Sequence, residues 1–230
     1  MTPRAPKLLV ALATVTSLGG CPPDRSDDLQ CGVTPSEALV ACPPEPALGT
    51  HLRERWGLQP RVEITARCVP GHFGGAGWII HAVARDGASV AGAVFVLQPS
   101  CGALTDSALR PGAPPEATYE AIDLDGDGVD EVMARRTATS ADGEETTLEA
   151  LRVGGGRLRH GGKIRVAYDG VDPDLPDRPA LRCTGDVRYI NRPDGGFFVE
   201  IEATRSIVSE RCLADGAHRF ELASSGLRRR

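Results

Sequence analysis

The sequence predicts a mainly β domain, braced by disulfides, in which about ten short strands form an antiparallel sandwich, an open barrel or a meander packed on a helix. The chain contains 27 glycines and 18 prolines, well above average usage and typical of a protein with many turns. Apolar and polar residues alternate over short segments, as in half-buried strands. The seven cysteines are the third observation, because disulfides are expected in an exported chain and would brace the domain.

The first twenty residues predict a secretory signal peptide. Arg4 and Lys7 form its positive start, an apolar run extends from Leu8 to Leu18, and Gly19 and Gly20 provide small residues at its exit. The apolar run is too short to span a bilayer, which requires about twenty residues. We therefore expect residues 1–20 to be removed on export.

The segment Leu18-Gly19-Gly20-Cys21 resembles the lipobox of bacterial lipoproteins. The resemblance implies cleavage before Cys21, followed by acylation of its sulfur and of the new amino terminus. Several acyl chains would hold the protein firmly on a membrane. It also implies a lipid-anchored, extracytoplasmic protein of the bacterial cell envelope, at either the inner or the outer membrane.

Lipidation of Cys21 would leave an even number of cysteines for disulfides. The six remaining candidates are Cys31, Cys42, Cys68, Cys101, Cys183 and Cys212. Six cysteines allow fifteen pairings, and we predict pairing between sequence neighbours: Cys31–Cys42, Cys68–Cys101 and Cys183–Cys212. Each bridge would contribute about 2–4 kcal/mol to the free energy of unfolding. No C-x-x-C occurs, so no redox or zinc site is indicated.

Composition and charge indicate how the chain is divided into a tether and a domain, and which class of partner is disfavoured. Loss of Arg4 and Lys7 with the signal peptide lowers the net charge from −5 to −7, which argues against a nucleic-acid partner. Residues 21–46 are rich in proline and predict a tether that begins at the lipidated cysteine. Residues 47–230 are long enough for a single mainly β domain.

One or two short helices are expected before the strands. Leu48, Leu52 and Trp56 are spaced by four and share one face of a predicted helix over 47–56. Thr34 and Pro35 are typical of the first turn of a second, shorter helix.

Ten segments carry strand patterns, and turn residues separate them. The clearest hairpin signal is Asp86-Gly87 between two apolar runs. The predicted strands are 62–68, 78–84, 90–97, 119–122, 132–139, 146–153, 157–168, 180–190, 197–204 and 218–223.

The stretch from Asp123 to Glu131 reads D-L-D-G-D-G-V-D-E and predicts a metal-binding loop. Ca²⁺ takes six to eight oxygen ligands, and carboxylates at alternate positions converge where glycines allow a tight turn. The first half matches the EF-hand pattern, but Ala134 stands where that pattern requires glutamate, and the flanks predict strands instead of helices. An acidic hairpin turn without metal is the alternative.

The same nine residues resemble the calcium loop of integrin-type FG-GAP repeats, D-x-D-x-D-G-x-x-[DE], which lies between two β-strands. The resemblance implies a structural Ca²⁺ ion. Its implied ligands are Asp123, Asp125, Asp127, the main-chain carbonyl of Val129, and Glu131. The motif occurs once, whereas a propeller needs at least four blades, so a whole propeller is excluded.

Two functional hypotheses of different class follow. The first is a non-enzymatic envelope lipoprotein in which Ca²⁺ rigidifies a β-hairpin and an exposed surface binds a protein or glycan. The second is an extracytoplasmic hydrolase with Ca²⁺ as a structural ion, whose paired carboxylates would include Glu116 or Glu120. The sequence contains neither a G-x-S-x-G nor an H-E-x-x-H motif, which favours the first.

The lipobox resemblance yields a prediction about the anchor. We expect Cys21→Ser to release the protein from the membrane fraction, because the substituted residue cannot accept the lipid. Fractionation followed by immunoblotting measures this, with Ser26→Ala in the tether as the control that should stay membrane-bound. A Cys21→Ser protein that loses its signal peptide yet remains in the membrane fraction would contradict the lipobox.

Overall fold

A computed structural model of the chain describes residues 41–100, 103–154 and 157–230. The predicted signal peptide, Cys21, Cys31, the short helix at Thr34 and Cys101 lie outside these residues. The described part is mainly β, with one helix and twelve strands in an open, essentially antiparallel arrangement. The predicted fold class is therefore confirmed. No helix in these ranges has the length and apolar character needed to cross a membrane.

The helix α1 spans Glu45–Trp56. The strands are β1 Glu63–His72, β2 Ala76–Asp86, β3 Ser89–Ser100, β4 Ala103–Pro111, β5 Thr118–Ile122, β6 Glu131–Thr139, β7 Gly143–Gly154, β8 Arg157–Val171, β9 Ala180–Asn191, β10 Phe197–Arg205, β11 Gly216–Ala223 and β12 Gly226–Arg229.

All ten predicted strands are present, and the Asp86-Gly87 hairpin is confirmed. Asp86 pairs with Ser89, and Gly87 adopts a φ of 59°, which glycine tolerates without steric cost. Strands β4 and β12 were not predicted from the sequence. Strand β12 has only four residues, too few for an alternating pattern to stand out.

The strands form two antiparallel meanders. Strands β1 to β4 pair in sequence order, and β5 to β12 do the same. A single parallel pairing, between Leu109 and Arg157, joins β4 to β8. Every other pairing connects neighbours along the chain, so most of the sheet forms through short hairpins.

The β6–β7 ribbon of the second meander is buried between the first meander and strands β8, β10 and β11. Val132 and Ala134 on β6 pack with Ile79 and Val96 of the first meander. Met133, between them in sequence, faces the opposite way and packs with residues of β8, β10 and β11. Successive side chains of a strand point to opposite faces, so this ribbon is covered on both sides.

Helix α1 covers the outer face of the first meander. Leu48 and Leu52 are buried against Ile80 and Phe95. The helix begins at Glu45, two residues inside the predicted tether. Proline in the first turn is compatible with a helix because no intrahelical partner exists for its missing N–H, so the proline-rich composition concealed this helix start.

Two disulfides lie within the described ranges, Cys42–Cys68 and Cys183–Cys212. The second was predicted and is confirmed. The predicted pairs Cys31–Cys42 and Cys68–Cys101 are wrong, because Cys42 bonds to Cys68. Helix α1 returns the chain across β1, which brings the two Cα atoms to 6.1 Å, a normal bridging distance.

Because the ribbon is covered on both sides, we expect the stability of the fold to depend strongly on Met133, which is 1% exposed. Met133→Ala should lower the free energy of unfolding by about 2–5 kcal/mol, because it leaves a cavity between two packed layers. Val90→Ala, at a 45% exposed position on β3, is the control and should change it by no more than about 0.5 kcal/mol. Urea titration measures both, and equal costs would contradict the buried ribbon.

Candidate metal centre

The segment Asp123–Glu131, called the acidic loop below, connects β5 to β6. The pairing of Ile122 with Glu131 closes the hairpin below it. Leu124 is fully buried and packs with Met133 in the core between β6 and the later strands. The loop is therefore anchored through an apolar side chain, while the carboxylates on either side of Leu124 remain nearer the surface.

Two glycines and two aspartates fix the backbone of the loop. Gly126 and Gly128 have φ values of 81° and 83°, in the left-handed region that favours glycine. The Asp123 carboxylate accepts hydrogen bonds from the N–H of Gly126 at 2.7 Å and of Gly128 at 3.0 Å. Oδ1 of Asp127 accepts one from the N–H of Val129 at 2.8 Å. These bonds orient the carboxylates before any ligand binds.

Three of the five sequence-predicted ligands converge. One carboxylate oxygen from each of Asp123, Asp125 and Glu131 lies within 4.8 Å of the others. Calcium–oxygen distances are about 2.3–2.6 Å, so two oxygens that share one ion lie at most about 5 Å apart. Asp127 and Val129 line the same cleft as Asp125 and Glu131. The donor set is all oxygen and therefore suits a hard cation.

Glu131 is the most buried carboxylate of this group, with 5% of its surface exposed. Burial raises its pKa to about 7, and the nearby Asp125 adds to the rise, while the N–H of Leu124, a donor to Oε2 at 2.9 Å, opposes it. Among the described residues, Oδ1 of Asp125 is buried without a hydrogen-bond partner. A cation would supply a partner for Oδ1 of Asp125 and would favour the charged form of Glu131.

Asp130 is not one of the three converged carboxylates and instead connects the loop to β1 through hydrogen bonds. Its Oδ2 accepts a hydrogen bond from the N–H of His72 at 2.6 Å, and its own N–H donates to the His72 carbonyl at 2.6 Å. Nδ1 of His72 lies 2.6 Å from the carbonyl oxygen of Gly128. Burial raises the pKa of Asp130. The end of β1 therefore clasps one side of the acidic loop.

The turn between β9 and β10 clasps the other side. Phe197 donates its N–H to the Leu124 carbonyl at 3.2 Å. A Cβ on Gly126 would lie 2.9 Å from the carbonyl carbon of Gly195, so the two backbones touch at glycines. No space is left for a side chain at Gly126, or at Gly196, whose Cβ would lie 2.6 Å from the Gly126 nitrogen.

Arg152 on β7 provides the positive charge next to the converged carboxylates. Its Nη2 lies 3.0 Å from Oδ2 of Asp125, and its Nε lies 3.8 Å from Oε1 of Glu131. All three residues line an open cleft of about 660 Å³, whose wall also includes Leu222 and Ser224. No sequence pattern singled out Arg152, since only the β6–β7 register brings it here.

The two glutamates named for the hydrolase hypothesis lie elsewhere. Glu120 accepts a hydrogen bond from the Tyr189 hydroxyl at 2.9 Å, and burial together with this carboxylate raises the pKa of Tyr189. Glu116 is exposed. Within the part of the chain that the structure describes, neither residue belongs to the wall of the cleft beside the acidic loop.

The chain matches no family model, no curated protein and no solved structure. Its function is therefore inferred from the acidic loop, the contacts of that loop with β1 and with the β9–β10 turn, and the adjacent cleft.

The close approach of Gly126 to Gly195 predicts different costs at the two glycines of the loop. Gly126→Ala and Gly128→Ala both place a side chain at positive φ, which costs about 1–2 kcal/mol. Only the alanine at 126 meets backbone atoms, since nothing lies within 4 Å of a Cβ at 128. We expect Gly126→Ala to destabilise the protein more, as measured by urea titration. Equal destabilisation would contradict the close backbone contact between Gly126 and Gly195.

Proposed function

We propose that this protein is a lipid-anchored lipoprotein of the bacterial cell envelope in which a structural Ca²⁺ ion rigidifies the acidic loop. Its role is non-enzymatic, either binding or structural. The observation that carries the proposal is the convergence of carboxylate oxygens from Asp123, Asp125 and Glu131 within 4.8 Å. Like charges held this close repel one another, and a divalent cation would turn that repulsion into attraction.

The surroundings of the loop support a structural ion. Asp123 would keep its two backbone hydrogen bonds, because each carboxylate oxygen can accept from an N–H and also face a cation. Asp125 would offer the buried Oδ1 that has no partner among the described residues. Asp127, Val129 or water would complete the six to eight ligands of Ca²⁺.

The anchor is proposed on the resemblance of Leu18-Gly19-Gly20-Cys21 to a lipobox. Residues 22–40 would then separate the β domain from the bilayer, and Cys42 marks where the chain is bonded to β1. A domain held in this way would meet protein or glycan partners of the envelope. The cleft beside the acidic loop presents apolar as well as charged groups, including Leu222 and Arg152, and is the surface we assign to such a partner.

The second candidate function is an extracytoplasmic hydrolase. The observation that favours it is the placement of two carboxylates, Asp125 and Glu131, in the wall of one open cleft. Carboxylates in different environments can divide acid and base roles. Their ion pairing with Arg152 argues against this function, since neither group is a free acid or base. Turnover of ester, peptide or glycoside test substrates that is lost in Glu131→Gln would favour this second function.

The Ca²⁺ proposal predicts stabilisation by the ion. For a Kd of about 0.1 mM, the tight end for extracellular modules, Ca²⁺ at about 1 mM would add about 1.4 kcal/mol to the free energy of unfolding. The corresponding rise in Tm is roughly 3–6 °C for a domain of this size. Asp125→Ala should abolish the rise, because it removes a ligand at the centre of the cluster. Calorimetric melts with Ca²⁺ and with chelator measure it.

The control is Asp186→Ala, which removes the same charge at an exposed position on β9 and should keep the full rise in Tm. Equal responses to Ca²⁺ in the wild type and Asp125→Ala would exclude the acidic loop as the site. No response in any protein, with Mg²⁺ and Mn²⁺ also without effect, would leave the loop an acidic turn.

A further inference from the structure

Arg152 occupies a position that a bound cation would make unfavourable. It follows Leu151, the partner of Val132 in the β6–β7 register, and so lies beside Glu131. Its guanidinium contacts Oδ2 of Asp125 at 3.0 Å and approaches Oε1 of Glu131 at 3.8 Å. Two of the three converged carboxylates therefore already share one positive charge.

The distances place this guanidinium close to any ion held by Asp125. Calcium would lie about 2.3–2.6 Å from a ligating oxygen of that carboxylate, and Nη2 of Arg152 lies 3.0 Å from Oδ2. If both contacts used the same carboxylate, the ion and the guanidinium would be within roughly 5–8 Å of each other, given a carboxylate's width. Arginine cannot lose its charge in a protein, so it repels the ion or moves away.

The side chain has room to move. Arg152 is 28% exposed and lines the open cleft of about 660 Å³. Its remaining polar contact, from Nη1 to the Ser224 carbonyl, is long at 3.5 Å. By comparison, Glu131 is buried and bonded to the Leu124 N–H, so the carboxylates stay in place while the arginine can rotate into the cleft.

We propose that Arg152 is an internal counter-ion of the acidic loop, which neutralises Asp125 and Glu131 in the metal-free protein and competes with Ca²⁺ for them. Binding of Ca²⁺ is then an exchange of cations, in which the guanidinium leaves the carboxylates for the cleft. The exchange limits the affinity for Ca²⁺ and keeps the loop folded when the ion is absent. This inference rests on the proposed Ca²⁺ site.

Removal of the charge tests the competition. Arg152→Gln should bind Ca²⁺ about ten-fold more tightly than the wild type, because a like charge near the ion is gone. In chelator the same variant should melt at a lower temperature, because its carboxylates lose their counter-ion. Arg152→Lys retains the charge and should restore an affinity near that of the wild type. Isothermal titration calorimetry with CaCl₂ gives the affinities.

The matched control is Arg182→Gln. It also removes an arginine from an ion pair, with Asp169 at 2.6 Å, but lies at the start of β9, far along that strand from the turn that clasps the loop. Its affinity for Ca²⁺ should equal that of the wild type. A ten-fold gain in the control as well would show a general charge effect and overturn the role of Arg152.

The failure of this inference is distinguishable from the failure of the proposed function. If the wild type binds Ca²⁺ and Arg152→Gln binds it equally or more weakly, Arg152 does not compete, and the metal site remains. If neither protein binds Ca²⁺, the site itself is excluded and the inference with it.

A measurement on the wild type keeps the test decisive if Arg152→Gln does not fold. The Nη2 protons of Arg152, which donate to Oδ2 of Asp125 at 3.0 Å, should exchange with water faster in CaCl₂ than in chelator, as followed by ¹⁵N NMR of the arginine side chains. An unchanged exchange rate at saturating Ca²⁺ would overturn the release of the guanidinium.

Discussion

Strand β6 is apolar on both faces from Val132 to Ala134, and the packing of the first meander against the later strands depends on that property. A strand covered on one side presents polar residues to water on the other, but Val132 and Met133 are both fully buried in different clusters. The first meander and strands β8, β10 and β11 therefore each pack an apolar face against the β6–β7 ribbon. The acidic loop leads directly into β6 and is therefore attached to the strand that is covered on both sides.

This attachment explains how five carboxylates within nine residues can be held in a fixed geometry. The strain of their mutual repulsion must be balanced by contacts outside the loop. Leu124 supplies apolar burial, the His72–Asp130 hydrogen bonds supply one lateral clasp, and Arg152 supplies positive charge. The loop is thus organised before a ligand arrives, which reduces the entropy that binding must overcome.

Ten of the twelve strands and the position of the acidic loop could be predicted from the sequence, because both depend on short-range patterns. Apolar runs, alternation and turn residues indicated the strands, and the spacing of aspartates indicated the acidic loop. Strand β4 was not predicted because apolar and polar residues do not alternate regularly over Ala103–Pro111. The Cys42–Cys68 bridge could not be predicted from the sequence because it depends on how helix α1 lies across β1. Arg152 and His72 join the loop only through strand register, which a local pattern does not contain.

The contact between the acidic loop and the β9–β10 turn couples the loop to the later strands. The backbone of Gly126 lies against that of Gly195, and the N–H of Phe197 donates to the Leu124 carbonyl. The β5–β6 and β9–β10 turns are therefore in direct contact. Packed backbones have few alternative arrangements, and a change in the acidic loop must be accommodated by the β9–β10 turn. A cation that fixes Asp123 and Asp125 on either side of Leu124 would therefore also stiffen the later strands. The acidic loop is in this sense a connection between the hairpins as well as a place where an ion could bind.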